Sequence, residues 1–205
     1  MSGAVLVLLA LILLALVALI VVLIVLLGRR GGNARPAPAP AVPRDPLSQA
    51  DQAGGDPRTL KAGDMIDYLG VRYFVRGSVR LREGGFTWSE HLLDGDGVED
   101  VKVWLSVEED PDLEVVWWTG RDAGLRPDAR ALTLDDVEYR RDEHGTATYT
   151  TEGTTGLGAS GRVEYVDYEG PGGRYLSFER FDGGAWEMSA GESVPGGALT
   201  IYPGG

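Results

Sequence analysis

Across positions 3–28 the chain carries neither a charge nor an aromatic ring, and within that stretch positions 5–27 are built from Val, Leu, Ile and Ala alone. About 20 apolar residues in a helix match the hydrocarbon thickness of a bilayer. A transmembrane helix is therefore expected at 1–28, meeting lipid through residues 3–28. A cleavable signal peptide would have a positive start and an apolar core of about 7–15 residues. Here no Lys or Arg precedes the run, and Arg29-Arg30 closes it. With Arg35 these are the nearest positive charges, so the positive-inside bias places the bulk of the chain on the cytoplasmic side of a cell membrane, as a single-pass protein.

All 17 aromatic residues lie after position 57, which separates the remainder into two parts. Positions 29–57 hold six of the eleven prolines, including the run Pro36-Ala37-Pro38-Ala39-Pro40. Such a segment buries too little surface to offset its chain entropy and reads as an extended, flexible tether. Positions 58–205 remain for one ordinary core. From Pro57 onward 28 acidic residues face 15 basic ones, a balance that repels nucleic acid and anionic lipid. The chain has no Cys, which excludes disulfides, thiolate metal sites and a Cys nucleophile.

The third part reads as all-β, mainly an antiparallel meander. Val71, Tyr73, Val75, Val79 and Leu81 alternate with Arg72, Arg76, Ser78, Arg80 and Arg82, as in a half-buried strand. Val101, Val103, Leu105 and Val107 repeat the pattern, and Val115-Val116-Trp117-Trp118 adds a β-rich run. Further strands are expected at 137–141, 147–151, 162–168, 175–181 and 186–189, with Gly-containing turns between them. One short helix is expected at 128–137, where Thr133 and Asp136 resemble an imperfect capping box. Two stretches also look alike. Trp88-Ser89-Glu90-His91 followed by Trp104-Leu105-Ser106-Val107-Glu108 can be set beside Tyr165-Val166-Asp167-Tyr168 followed by Tyr175-Leu176-Ser177-Phe178-Glu179. This suggests two related halves forming a sandwich or barrel, although any β domain repeats aromatic-polar alternation.

Four motifs carry a family resemblance: Leu60-Lys61-Ala62-Gly63-Asp64, Tyr73-Phe74-Val75-Arg76-Gly77, Trp88-Ser89-Glu90-His91-Leu92-Leu93 and Trp104-Leu105-Ser106-Val107-Glu108. Over roughly residues 60–201 the chain resembles the bacterial domain-of-unknown-function family 4178. The resemblance implies no established activity and supplies no catalytic residue. It implies a genomic setting near small membrane proteins and spermidine-synthase-like enzymes.

Catalytic patterns are scarce. His91 and His144 are the only histidines, without HxH or HExxH spacing, and His91 in an aromatic strand reads as structural. The Gly-rich stretch 153–161 lacks the ending and following helix of a phosphate cradle and reads as a loop between strands. Asp94, Asp96 and Asp100 form the one candidate metal cluster, yet the pattern is not an EF-hand and DG steps favour a solvated hairpin tip. The arginine stripe fits cross-strand pairing with the many acids better than an anionic ligand.

Parity singles out Trp104. If Val103 and Leu105 face a core, Trp104 and Ser106 face the other way, and Trp88 and Glu90 join them as a candidate partner-binding patch, since Trp is enriched at binding hot spots. The sequence implies no cofactor. The leading expectation is a non-enzymatic, membrane-tethered interaction module that engages other membrane-associated proteins. One alternative is an accessory domain binding a small cation, a polyamine or a divalent metal, through acids and aromatics. Another is a hydrolase whose polar residues converge only in the fold.

Overall fold

The computed structural model describes residues 55–95, 101–195 and 197–204. The expected transmembrane helix and most of the tether lie outside them, and among the described residues no helix is long and apolar enough to cross a membrane. A 3-10 turn at Pro57–Thr59 precedes eleven strands: β1 (Met65–Tyr68), β2 (Val71–Glu83), β3 (Phe86–Gly95), β4 (Val103–Glu109), β5 (Leu113–Arg121), β6 (Ala131–Leu134), β7 (Val137–Gly153), β8 (Ser160–Gly170), β9 (Arg174–Phe181), β10 (Glu187–Ser193) and β11 (Leu199–Tyr202). Every pairing is antiparallel. The order is β11-β1-β2-β3-β4-β5-β10-β9-β8-β7-β6, and a further β2–β7 pairing closes β2 through β5 and β7 through β10 into an eight-stranded barrel. The all-β expectation holds, with a barrel as its form.

The short helix expected at 128–137 is not formed. Leu132 and Leu134 lie on β6, Val137 and Tyr139 on β7, and Asp135 and Asp136 link them with φ of 50° and 63°. Two consecutive left-handed residues make the tight turn that suits the twist of a hairpin, and Asp tolerates that conformation. The pattern read as a helix start is the tip of a β-hairpin. The two segments expected at 137–141 and 147–151 merge into the single strand β7.

The walls carry apolar residues on both sides, for a reason written into both long strands. In β2 the register shifts between Val75 and Gly77: Val75 faces Leu93, whereas Gly77 faces Leu92. One inserted residue reverses which side the odd-numbered positions occupy. Tyr73 and Val75 pack into an outer core with Leu93, Val103, Leu105 and Val107. Val79 and Leu81, of the same parity, pack inside with Ala147, Tyr149 and Val163. Gly77 suits this site because a Cβ there would stand 2.6 Å from the Thr154 backbone. The same reversal occurs in β7 between Arg141 and His144, with Tyr139 in a second outer core and Ala147 and Tyr149 inside.

Strands outside the barrel cover its two outer apolar faces. Leu60, Ile66 of β1, Val194, and Leu199 and Ile201 of β11 seal the first. Leu125 and the β6 leucines pack on the second, over Tyr168, Leu176, Phe178 and Met188. Burying such side chains stabilises each by about 1.5–3 kcal/mol. The five-strand arrangement β1 to β5 thus recurs as β6 to β10, with matching bulges and matching covers.

Candidate functional site

Since the outward faces hold the apolar residues, the alternate positions point into the barrel, and all eight barrel strands contribute to a cavity of about 440 Å³. Strands β3 and β4 bring Phe86, Trp88, Glu90, Trp104, Ser106 and Glu108; β8 and β9 bring Tyr165, Asp167, Ser177 and Glu179. Glu83, Trp118, Glu143 and Ser189 complete the wall from β2, β5, β7 and β10, and Asp110 follows β4. Seven carboxyl side chains line it, and no Lys, Arg or His does.

The four residues expected as a partner patch, Trp88, Glu90, Trp104 and Ser106, all lie in this cavity. Their common face was legible from parity. Their direction was not: Trp104 is half-buried in the barrel interior, because the valines and Leu105 face outward beneath β1 and β11. Trp117 and Trp118 divide as parity requires, Trp117 into the outer core and Trp118 into the cavity. Pairing reproduces the likeness between halves. Glu90 sits opposite Ser106 and Trp88 opposite Glu108, while Asp167 sits opposite Ser177 and Tyr165 opposite Glu179.

Three of the cavity's carboxyls, Glu90, Asp167 and Glu179, are raised above the ordinary carboxylate range. Glu90 accepts from Trp88 Nε1 at 3.2 Å and shares the cavity wall with Glu179. Burial pushes the Glu90 carboxyl up to about 7. Burial, reinforced by the neighbouring Glu90 and Asp167, pushes Glu179 well above the ordinary carboxylate range. Asp167 is also pushed up to about 7, first by burial and then by Glu90 and Glu143, against a hydrogen bond from Ser177. Its Oδ1 is buried without any hydrogen-bond partner. Such an unmade bond costs about 1–3 kcal/mol.

The Tyr165 hydroxyl donates to Glu83 Oε2 at 2.6 Å and lies 3.3 Å from Glu143 Oε1. Its pKa is raised by burial and by these acids. Glu108 is raised by desolvation and by Glu143, Glu114 and Asp110. Aromatic rings form the rest of the wall: Trp88 meets Tyr165 edge to face at 5.8 Å, and Trp118 Nε1 donates to Ser106 Oγ at 2.9 Å. Rings and carboxylates together are the chemistry that holds organic cations. Among the described residues no three His, Asp or Glu side chains gather closely enough to hold one metal ion, so the negative charge is spread through a volume.

Other sequence candidates fall elsewhere. Asp94 pairs with Arg76 on the surface, and Asp96 and Asp100 lie outside the described residues. His91 is fully buried on the outer side of β3, with Nδ1 2.8 Å from Ser78 Oγ and Nε2 3.2 Å from Ser89 Oγ. Burial, and then Arg80, depress its pKa to about 3, so it stays neutral. The arginine stripe is largely paired: Arg72 with Asp67, Arg76 with Asp94 and Arg80 with Glu152. Sequence reasoning missed Asp167, Ser177 and Glu179 as site residues. The signal was present, for they occupy the places of Glu90, Ser106 and Glu108 in the second of the two similar stretches.

Comparison with known proteins adds relatives without an assigned role. The family model described as Domain of unknown function (DUF4178) matches residues 61–196. The chain is 46% identical over 176 residues to Uncharacterized protein Rv2597 of Mycobacterium tuberculosis (strain ATCC 25618 / H37Rv), a match covering 80% of this chain and 83% of the relative. The same figures hold for Uncharacterized protein Mb2628 of Mycobacterium bovis. No solved structure matches.

Proposed function

The chain belongs to the DUF4178 family of domains of unknown function, and from that footing we propose that it is a non-enzymatic binding module that holds a small organic cation inside its barrel. One observation carries the reading: seven carboxyl side chains and several aromatic rings enclose a 440 Å³ cavity that no basic side chain lines. Eight-stranded barrels have an interior suited to one small ligand, and this volume lies in the range of small-molecule pockets. Cation–π attraction and carboxylate charge act together once a ligand displaces cavity water. The dispersed acids favour an organic cation over a single divalent ion.

The apolar segment at 5–27 supports a second part of the reading, in which the domain is displayed at the cytoplasmic face of a membrane on the Pro-rich tether. A loaded or empty barrel would then report to membrane-associated partners.

Calorimetric titration of the full chain in nonionic detergent tests the binding reading. Spermidine, 1,5-diaminopentane, tetramethylammonium, Mg²⁺, Ca²⁺ and glutamate serve as probes. At least one organic cation is expected to bind with Kd near or below about 100 μM, and glutamate not at all. Binding by divalent metal alone, or by no cation, would overturn the assignment. Catalytic turnover of a peptide, ester or glycoside panel would overturn its non-enzymatic part.

A further inference from the structure

We infer that the ligand presents a protonated primary amine to Glu90, Asp167 and Glu179, and that it enters in exchange for a proton these carboxyls share. This deepens the organic-cation reading and rests on it. The reasoning starts from hydrogen-bond inventory. An ionised carboxylate only accepts. Glu90 and Glu179 line one cavity with five further carboxyls and no basic side chain, and crowded carboxyls of this kind hold a proton rather than all ionise. Asp167 adds a buried Oδ1 that no donor reaches.

Elsewhere in the cavity Tyr165 already donates to Glu83 and approaches Glu143, so the unmet need for donors lies at Glu90, Asp167 and Glu179. A primary ammonium brings three N–H donors and no acceptor, whereas a quaternary ammonium brings none. Charge leads to the same occupant. The groups facing the trio are Glu83 from β2, Glu108 from β4, Glu143 from β7 and Tyr165 from β8, while β5 and β10 contribute Trp118 and Ser189. Glu114 adds further negative charge nearby, while Glu187 is paired with Lys102. Nothing in that shell offsets a third ionised carboxylate, so the empty site retains its proton. An arriving R–NH₃⁺ supplies the positive charge instead, and the displaced proton goes to bulk water. No covalent bond changes, and cavity charge is conserved for each amine exchanged against one proton. Burial has raised Glu90 and Asp167 to about 7, which brings the exchange into the neutral pH range.

A matched probe pair tests this on the full chain in nonionic detergent: 1,5-diaminopentane, and the same five-carbon chain bearing trimethylammonium ends. The primary amine is expected to bind at least about 100-fold more tightly, since a site built for N–H donors penalises an analogue without them. Titration at pH 7 in buffers of different ionisation enthalpy should show release of about one proton per amine bound, and affinity should rise by about 10-fold or more between pH 6 and pH 8. Asp167→Asn, nearly the same shape, should weaken the amine by at least about 10-fold while its circular dichroism matches that of the parent chain. Equal or tighter binding of the trimethylammonium probe would overturn the inference and leave the organic-cation reading standing. Amine binding without proton release would overturn the exchange. Failure of both probes to bind would remove the inference together with the reading beneath it.

Discussion

Three carboxyls buried in an aromatic barrel should make the empty domain less stable as pH rises, a direction opposite to that of paired surface acids. Glu90 and Asp167 titrate at about 7 in the fold against 4.5 and 3.8 ordinarily, and Glu179 is shifted further. Above the unfolded values the folded chain binds more protons than the unfolded one, so unfolding free energy falls with increasing pH until the folded values are passed. The window must exclude His91, whose depressed pKa of about 3 removes stability only as pH drops below about 6.5. It must also exclude Asp67, Glu109 and Asp182, held low by Arg72, Arg58 and the Arg162 backbone respectively, whose contributions are lost only at still lower pH. From 6.5 to 8.5 the buried carboxyls act alone. A group with folded pKa near 7 contributes about 1 kcal/mol at pH 6.5 and almost nothing at 8.5. Glu90 and Asp167 supply two such losses, about 2 kcal/mol together at most, and Glu179 adds to them in the same direction. Urea unfolding of residues 55–205, followed by Trp fluorescence at constant ionic strength in amine-free buffer, measures the loss. Glu179→Gln should flatten the slope by about half and raise stability at pH 8.5. A parent curve that is flat or rises between pH 6.5 and 8.5 would refute the buried-carboxyl account.

Adjacent positions on β4 should separate cleanly. Leu105→Ala, in the outer core and fully buried, should cost about 2–5 kcal/mol in urea unfolding; Trp104→Ala should cost less, about 1–3 kcal/mol, while weakening organic-cation binding by about 10-fold. A greater stability loss at Trp104 than at Leu105 would show that the core and cavity faces of β4 are assigned the wrong way round. Removing residues 1–28 should transfer the protein from the membrane to the soluble fraction on ultracentrifugation, and continued sedimentation with lipid would remove the anchor. A cysteine introduced in the tether should resist an impermeant thiol reagent in intact cells and react after lysis, whereas labelling of intact cells would reverse the orientation.

The chain spelled out its β character through local means. Period-2 alternation, β-branched and aromatic runs and Gly-containing turns are short-range properties, and β2, β4, β5, β8 and β9 stand close to where those signals put them. The likeness between 88–108 and 165–179 was also readable, and it names Glu90, Asp167, Ser106 and Ser177 as corresponding positions. The β6–β7 hairpin escaped because Asp135 and Asp136 signal a helix start by residue type, whereas their left-handed backbone is set by the pairing of flanking strands. Parity correctly grouped Trp88, Glu90, Trp104 and Ser106 on one face but could not say whether that face met water, protein or an enclosed space. Alternation encodes a difference between two faces, and which one becomes the interior depends on long-range events: closure through β2–β7, the two bulges that reverse facing within single strands, and the covering of the apolar sides by β1, β11 and β6. Only that closure brings Glu90 and Glu179, 89 positions apart in sequence, into one cavity. Local sequence determined the strands and their two-sidedness; tertiary structure decided which side would line the cavity.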